Sequence, residues 1–502
     1  MSTPGICYLV GAGPGDLGLV TLRAKQLVEI ADVLVYDALS SPELLRWTKS
    51  GCEKIYVGKR ANDHALSQDG INALIVEKTK AGKNVVRLKG GDPMIFGRGG
   101  EEAAELAAAG VAFEIVPGIS SAIGGPAYAG IPVTHRDHCS QLTIFTGHED
   151  PTKGDSSIDY AHLAKTPGTK VFLMGVARLR EITGALVENG ADPTTPIALT
   201  RWATTGSQKT ITGTLADIAD IADRAEFGSP AVAVIGNVVK EREKINWFEK
   251  RPLFGKRVVV TRTREQAGEL SRALSDLGAD VIELPTIRIE PPDDKLGFAE
   301  SVTQAHEYDW LIFTSPNGVE RFFEAFFAVY EDARSLGKPQ IAAIGEATAK
   351  KIREYRIGVD LLPERFVAEG LLEAFAKDSV ENLTMLWVKA EESRDTLYDG
   401  LTALGAIVDE CIAYKTVAET EDPTGALARL KDEGADLVTF TSASTVDHFF
   451  ALGVPLPEGC AAGSIGPVTS DALRKHGVAP AFEANPHDIP GLVKGVRKHF
   501  GA

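Results

Sequence analysis

Short β-branched runs alternate with longer stretches of helical periodicity through the first half of the chain. The runs at 6–10 (ICYLV), 33–35 (VLV), 85–88 (VVRL), 142–145 (LTIF) and 171–173 (VFL) predict buried strands, and their alternation with helices predicts α/β sheets. At 239–256 the pattern gives way to VKEREKINWFEKRPLFGK, charged and holding one proline and one glycine, before a fresh strand starts at 257–261. Residues 246–252 are therefore expected to link an N-terminal half, 1–245, to a C-terminal half, 253–502. The stretch offers few apolar side chains to weld the halves together, which are expected to be separable. A weaker seam at 136–141 divides the first half into lobes of about 1–137 and 138–245.

The C-terminal half repeats itself at an offset of 127 residues: YDWLIFTS at 308–315 maps onto ADLVTFTS at 435–442, Phe322 and Phe323 onto Phe449 and Phe450, and the LGA turn at 277–279 onto 404–406. Residues 342–359 match 462–478 at a slightly shifted offset. Two similar α/β domains facing each other follow from this, with a cleft between them as a place for a ligand.

A chain of 502 residues has room for three or four units, each able to bury its own core, and 44% hydrophobic with 24% charged residues is ordinary globular composition. A net charge of −16 without a long basic patch excludes nucleic acid as the expected partner. Cys7, Cys52, Cys139, Cys411 and Cys460 form no CxxC pair and are odd in number, which argues against a disulfide framework or a metal site and suits a reducing compartment. No run of about 18 apolar residues occurs, so no membrane association is expected and the cytoplasm is the expected location.

The first strand ends in GAGPGDLGLVTLRA (11–24), where glycines let backbone amides approach a ligand closely. The loop contains a GxGxxG at Gly13, Gly15 and Gly18, and Asp37 ends the next strand, so an NAD-dependent dehydrogenase is one reading. Against it, Pro14 removes an amide donor from the middle of the turn. Two further glycine-rich loops follow successive strands, KGGDPMIFGRGGEE at 89–102 and VPGISSAIGGPAYAGIPVTHR at 116–136. Three such loops predict one ligand enclosed by backbone.

These loops, with YDAL (36–39), VGKR (57–60), TGHED (146–150) and LMGV (173–176), resemble uroporphyrinogen-III C-methyltransferase over about 1–245. The resemblance implies a two-lobed tetrapyrrole methyltransferase that places two methyl groups from S-adenosyl-L-methionine on uroporphyrinogen III to give precorrin-2, for sirohaem or cobalamin synthesis. It sets the cofactor against Pro14, Gly90, Gly91, Asp92, Ile95, Ser120, Ser121, Met174 and Ala203. Apolar side chains, hydroxyl or carboxylate acceptors and exposed amides suit an adenine, a ribose, an amino acid and a sulfonium. On its own Met174 reads as core. The same resemblance nominates Asp37 as proton acceptor and Lys59 as donor, and implies a homodimer through this half. Uroporphyrinogen carries eight carboxylates, and Arg23, Arg87, Lys89, Arg98 and Arg136, in or beside the glycine loops, are the expected positive rim.

The segments RVVVTRTREQAGELSRALSDLGADVIELPTIRI, DWLIFTSPNGVERFF, AAIGEATA, DECIAYKTV, TFTSAST and SIGPVTSDAL resemble uroporphyrinogen-III synthase over about 253–502. That implies two α/β domains joined by a two-stranded connection, with the chain crossing so that each mixes segments of both repeats. It also implies closure of hydroxymethylbilane to uroporphyrinogen III without a cofactor. Tyr414 matches the tyrosine proposed as proton donor to the leaving hydroxyl, while Ser315, Asn317, Thr441, Ser442 and Gly466 stand at strand ends or loops suited to binding carboxylates, or to plain helix capping. Val468 stands where that family often has a first threonine. The expectation is a bifunctional enzyme; the alternative keeps the C-terminal half as a non-catalytic tetrapyrrole-binding module.

Overall fold

The computed structural model describes residues 5–58, 66–148, 158–262, 264–419, 422 and 424–502. The described residues form four five-stranded sheets, built where short runs of Val, Ile and Leu are long enough for a strand and too short for a helix.

The first sheet holds β1 (Ile6–Gly11), β2 (Val33–Tyr36), β3 (Glu53–Tyr56), β4 (Val85–Lys89) and β5 (Ala112–Val116) in the order β3-β2-β4-β1-β5. Every pairing is parallel, so the carboxyl ends of β1, β2, β4 and β5 line one edge and all release their loops there. In sheets of this kind that edge is where ligands bind. The second lobe is mixed: β6 (Leu142–Thr146), β7 (Thr169–Leu173), β8 (Pro196–Arg201), β9 (Lys209–Thr214) and β10 (Ala231–Ile235) run in the order β6-β7-β10-β8-β9, with only the first pair parallel.

The third unit starts with β11 (Arg257–Val260) and β12 (Asp280–Glu283). The chain then leaves to build the fourth unit from β13 (Ile287–Glu290), β14 (Trp310–Phe313), β15 (Gln340–Ala343), β16 (Thr384–Ala390) and β17 (Ile407–Ala418). It returns to the third with β18 (Leu437–Phe440), β19 (Ala461–Ser464) and β20 (Phe482–Glu483). The 127-residue offset relates β11 to β16, β12 to β17 and β14 to β18. The sheet orders β12-β11-β18-β19-β20 and β13-β17-β16-β14-β15 therefore share one core order, each assembled from the front of one repeat and the back of the other. Gly278 (φ +93°) and Gly405 (φ +91°) hold equivalent left-handed turns before β12 and β17. The chain enters and leaves the fourth unit side by side, because β13 pairs antiparallel with β17 from Ile287↔Ala418 onward. Among the described residues no helix is long and apolar enough to cross a membrane.

The connecting segment, expected to offer few apolar side chains to weld the halves together, does bury two of them against the units on either side. Phe248 is 2% exposed and Leu253 fully buried. Phe248 packs on Tyr128 of the first lobe (ring centroids 4.8 Å apart) and on Phe254 (5.6 Å), while Leu253 joins the core around Val258 and Leu274 in the third unit. Its one carboxylate is tied to the N-terminal half, since Glu249 accepts hydrogen bonds from Gln208, Thr210 and Arg242. Replacing Phe248 with Ala should cost about 3–5 kcal/mol. Urea unfolding should then show an earlier transition, and limited proteolysis new cleavage near 246–254; unchanged behaviour in both would mean the segment does not bind the halves together.

Candidate active site

At the carboxyl edge of the first sheet, three glycine turns interlock. Gly13 and Gly91 exchange both backbone hydrogen bonds, the Gly13 amide donating to the Gly91 carbonyl (3.1 Å) and the Gly91 amide to the Gly13 carbonyl (2.7 Å). Gly91 does this at φ +68°, a conformation that side chains disfavour. A Cβ on Gly118 would lie 2.2 Å from the Gly91 carbonyl oxygen, so the third loop reaches the other two only as glycine. Asp92 pins the arrangement: one carboxylate oxygen accepts the Gly118 amide (3.0 Å), the other the Met94 amide (2.7 Å).

Under these turns lies a buried charge cluster. The Glu102 carboxylate, fully buried, accepts from Lys89 (2.7 Å), Gln68 (3.1 Å) and the Arg87 Nε (3.2 Å), and the far end of Arg87 donates to Asp37 (3.2 Å). Burial, with the Arg87 charge beside it, depresses the Lys89 ammonium below the usual lysine range. The other Asp37 oxygen accepts the Leu39 amide (3.1 Å), so Asp37 is held at the end of β2 by charge on one side and backbone on the other.

Between the two lobes runs a cleft of about 1830 Å³, and Pro14, Asp37, Gly90, Gly91, Asp92, Ile95, Ser120, Ser121, Met174 and Ala203 all line it. Eight non-glycine residues have positive φ among the described residues, and five of them, Phe96, Arg98, Met174, Trp202 and Thr204, line this cleft. Strained backbone gathers where a ligand must be met. Ile95 and Met174 are 41% and 49% exposed, apolar side chains turned into the cleft rather than the core, which is the surface an adenine ring or thioether requires. Met174 thus departs from the core role its composition suggests. Ser120 caps helix Ser121–Tyr128, its hydroxyl accepting the Ala122 amide.

Lys59 lies outside the described residues. Of the five cations expected as a rim, Arg87, Lys89 and Arg98 line the cleft, whereas Arg23, which pairs with Glu114 on β5 (2.9 Å), and Arg136 do not. Arg87 and Lys89 are internal supports, and Arg98 pairs with Glu101 (2.5 Å). The dinucleotide reading also fails on geometry. The Ala12 and Gly13 amides already donate to Lys89 and Gly91, and helix Leu22–Ile30 opens only after Thr21, well beyond the glycines. Residues the motifs did not single out complete the cleft: the Tyr128 hydroxyl donates to Asp16 (2.7 Å), and Thr204 accepts the Asp16 amide (3.0 Å), tying the first loop to the second lobe.

The tetrapyrrole (corrin/porphyrin) methylase family matches residues 7–219, and uroporphyrinogen-III synthase HemD matches residues 268–494. The porphyrin biosynthesis protein HemD of Ruminiclostridium josui is 37% identical over 94% of this chain and 94% of its own length. The chain belongs to this family, a tetrapyrrole methylase fused to a uroporphyrinogen-III synthase. The uroporphyrinogen-III C-methyltransferase of Bacillus subtilis is 39% identical over 76% of this chain and 77% of its own. The S-adenosyl-L-methionine-dependent uroporphyrinogen III methyltransferase of Methanosarcina barkeri is 51% identical over 47% of this chain and 92% of its own.

In the synthase half, Tyr414 on β17 is buried, and its hydroxyl lies 2.9 Å from that of Ser315, with Asn317 also hydrogen-bonded to it. Ser315 caps helix Pro316–Val329, accepting the Gly318 amide (3.0 Å). Its repeat counterpart Ser442 forms a capping box with Thr445 in the third unit. Capping is thus a role both serines do fill. Thr441 and Gly466 stand at strand ends of the third unit, Gly466 opening helix Pro467–Lys475 beside His487. Burial raises the Tyr414 phenol above the usual tyrosine range.

Gly91→Leu places a branched side chain at φ +68° in the turn that pairs with Gly13. Calorimetry should show S-adenosylhomocysteine affinity reduced more than about tenfold, since both the conformation and the approach are disfavoured. Unchanged affinity in a folded variant would remove this site assignment.

Proposed function

We propose that the two halves catalyse consecutive steps, the synthase half closing hydroxymethylbilane to uroporphyrinogen III and the methylase half methylating that product twice to precorrin-2. The observation that carries the reading is that nine residues from separate loops of two lobes, all expected to meet one cofactor, line a single cleft. S-adenosyl-L-methionine is that cofactor and supplies an electrophilic methyl group. The chain's part is to hold it in the crevice between the glycine turns and the Met174 and Ala203 loops, and to present the ring carbon in line. Asp37 at the end of β2 is the group placed to take the proton that the alkylated ring carbon must lose. The reading sets the enzyme in the cytoplasm, as a homodimer through the methylase half, with no nucleic acid or membrane partner.

For the synthase half, departure of the terminal hydroxyl needs a proton. Tyr414, buried and fixed by Ser315, holds one. Because its pKa is raised, the neutral donor form persists to higher pH than an ordinary phenol's value of about 10.

Hydroxymethylbilane supplied with and without the cofactor, followed by chromatography and mass, tests the whole reading. Uroporphyrinogen III alone, then the same macrocycle plus two methyl groups, is expected; only the non-enzymatically formed isomer I would reduce the C-terminal half to a binding module. Asp37→Asn should lower methylation by about 100-fold or more while S-adenosylhomocysteine affinity stays within about threefold, because the amide keeps the shape and cannot accept the proton. Equal losses in rate and affinity would make Asp37 structural. Tyr414→Phe should slow cyclisation by about 100-fold and leave methylation of supplied uroporphyrinogen III unchanged, and the wild-type cyclisation rate should hold up to about pH 10. A Phe variant as fast as wild type would assign the donor elsewhere.

A further inference from the structure

The methylase lobes do not close their cleft alone. Helix Arg264–Asp276 of the third unit lays Gly268, Ser271, Arg272 and Ser275 along its mouth, a spacing that keeps them on one helical face. The seam beside it is tight: a Cβ on Gly206 of the second lobe would lie 2.2 Å from the Asp280 amide nitrogen, and Arg46 of the first lobe pairs with Glu283 on β12.

An octacarboxylate needs cations that are not already neutralised, and most of those lining the cleft are. Arg87 and Lys89 are tied to Glu102, Arg98 to Glu101, Arg46 to Glu283, Arg429 to Asp280, and Lys25 to Glu29 at 3.7 Å. Two guanidinium groups lining the cleft have no carboxylate partner among the described residues, Arg251 and Arg272. Arg251, in the connecting segment, lies over the rings of Trp247 (4.8 Å) and Phe248 (5.0 Å) and donates to the Ser275 carbonyl (3.4 Å), which brings it to the same helix as Arg272. Arg272 itself is exposed at the mouth, and Asp276 one turn on forms no ion pair with it.

We propose that Arg272, a residue of the synthase half, binds a carboxylate of the tetrapyrrole held in the methylase cleft, with Arg251 beside it. The inference rests on the reading that this cleft takes uroporphyrinogen III. A planar guanidinium fork matches a carboxylate in two parallel hydrogen bonds. In a chain of net charge −16, two unneutralised guanidinium groups at the mouth are where an anionic macrocycle is drawn in. The methylase active site is then completed by the other enzyme.

The test uses the full chain with Arg272→Gln, and Arg272→Lys as the variant that keeps charge without the fork. The KM for uroporphyrinogen III in methylation should rise about tenfold in Arg272→Gln and less in Arg272→Lys, with kcat within about twofold. S-adenosylhomocysteine affinity should not change, and raising salt to about 0.5 M should narrow the gap between wild type and variant. An unchanged KM in an otherwise active enzyme overturns this site alone. Parallel losses of cofactor affinity and of hydroxymethylbilane cyclisation also overturn it, by marking Arg272 as structural. A wild-type chain that fails to methylate uroporphyrinogen III would instead sink the functional reading and this inference together.

Discussion

Three backbone turns meet at a distance that admits no side chain, and the methylase half is organised around that meeting. A Cβ on Gly11 would come within 2.5 Å of the Gly118 amide, and one on Gly118 within 2.2 Å of the Gly91 carbonyl. Because β4, β1 and β5 lie side by side and parallel, their loops emerge close enough to touch, and glycine is what allows them to. Once the loops are locked, the remaining amides and the strained residues opposite face one crevice instead of solvent. The buried cluster around Glu102 has the complementary task of fixing the strand from which the central loop springs. Removing one partner there would strand a buried charge, which is why such clusters hold their geometry firmly.

The seam between the halves is built by different means. Aromatic rings of the connecting segment fill the space between two cores, and a bare glycine, Gly206, lets the second lobe lie against the start of β12. The loop that carries Ala203 into the cleft is thereby backed by the synthase half. Two enzymes that share a chain here also share a wall.

Much of this was legible in the sequence where the signal was local or repeated. The strands at 6–10, 33–35 and 85–88, the duplication at an offset of 127 residues and the exchange of segments between repeats all appear in the sheets. Where a side chain points was less legible. Arg23 is adjacent to the first glycine loop in sequence, yet its helix turns it onto Glu114, and proximity along the chain says nothing about that direction. The connecting segment misled because its charges are conspicuous in text, whereas the apolar residues scattered among them include Phe248 and Leu253, both buried. Thr204 and Trp202 gave no signal at all, since a positive φ at a non-glycine residue leaves no mark on composition. Tyr128 sat inside the third motif, and a hydroxyl at the end of an apolar helix next to glycines is the feature that points to it.

The exchange of segments in the synthase half governs how the chain can be born. About 150 residues separate β12 from β18, and at roughly 5–20 residues per second a ribosome needs about 10–30 s to bridge them. During that interval β11 has its partner β12 on one side and an open hydrogen-bonding edge on the other, while the fourth unit, contiguous along the chain, can complete itself first. The inserted unit therefore matures inside an unfinished host, and its paired entry and exit strands bring the late segment back beside the edge that waits for it.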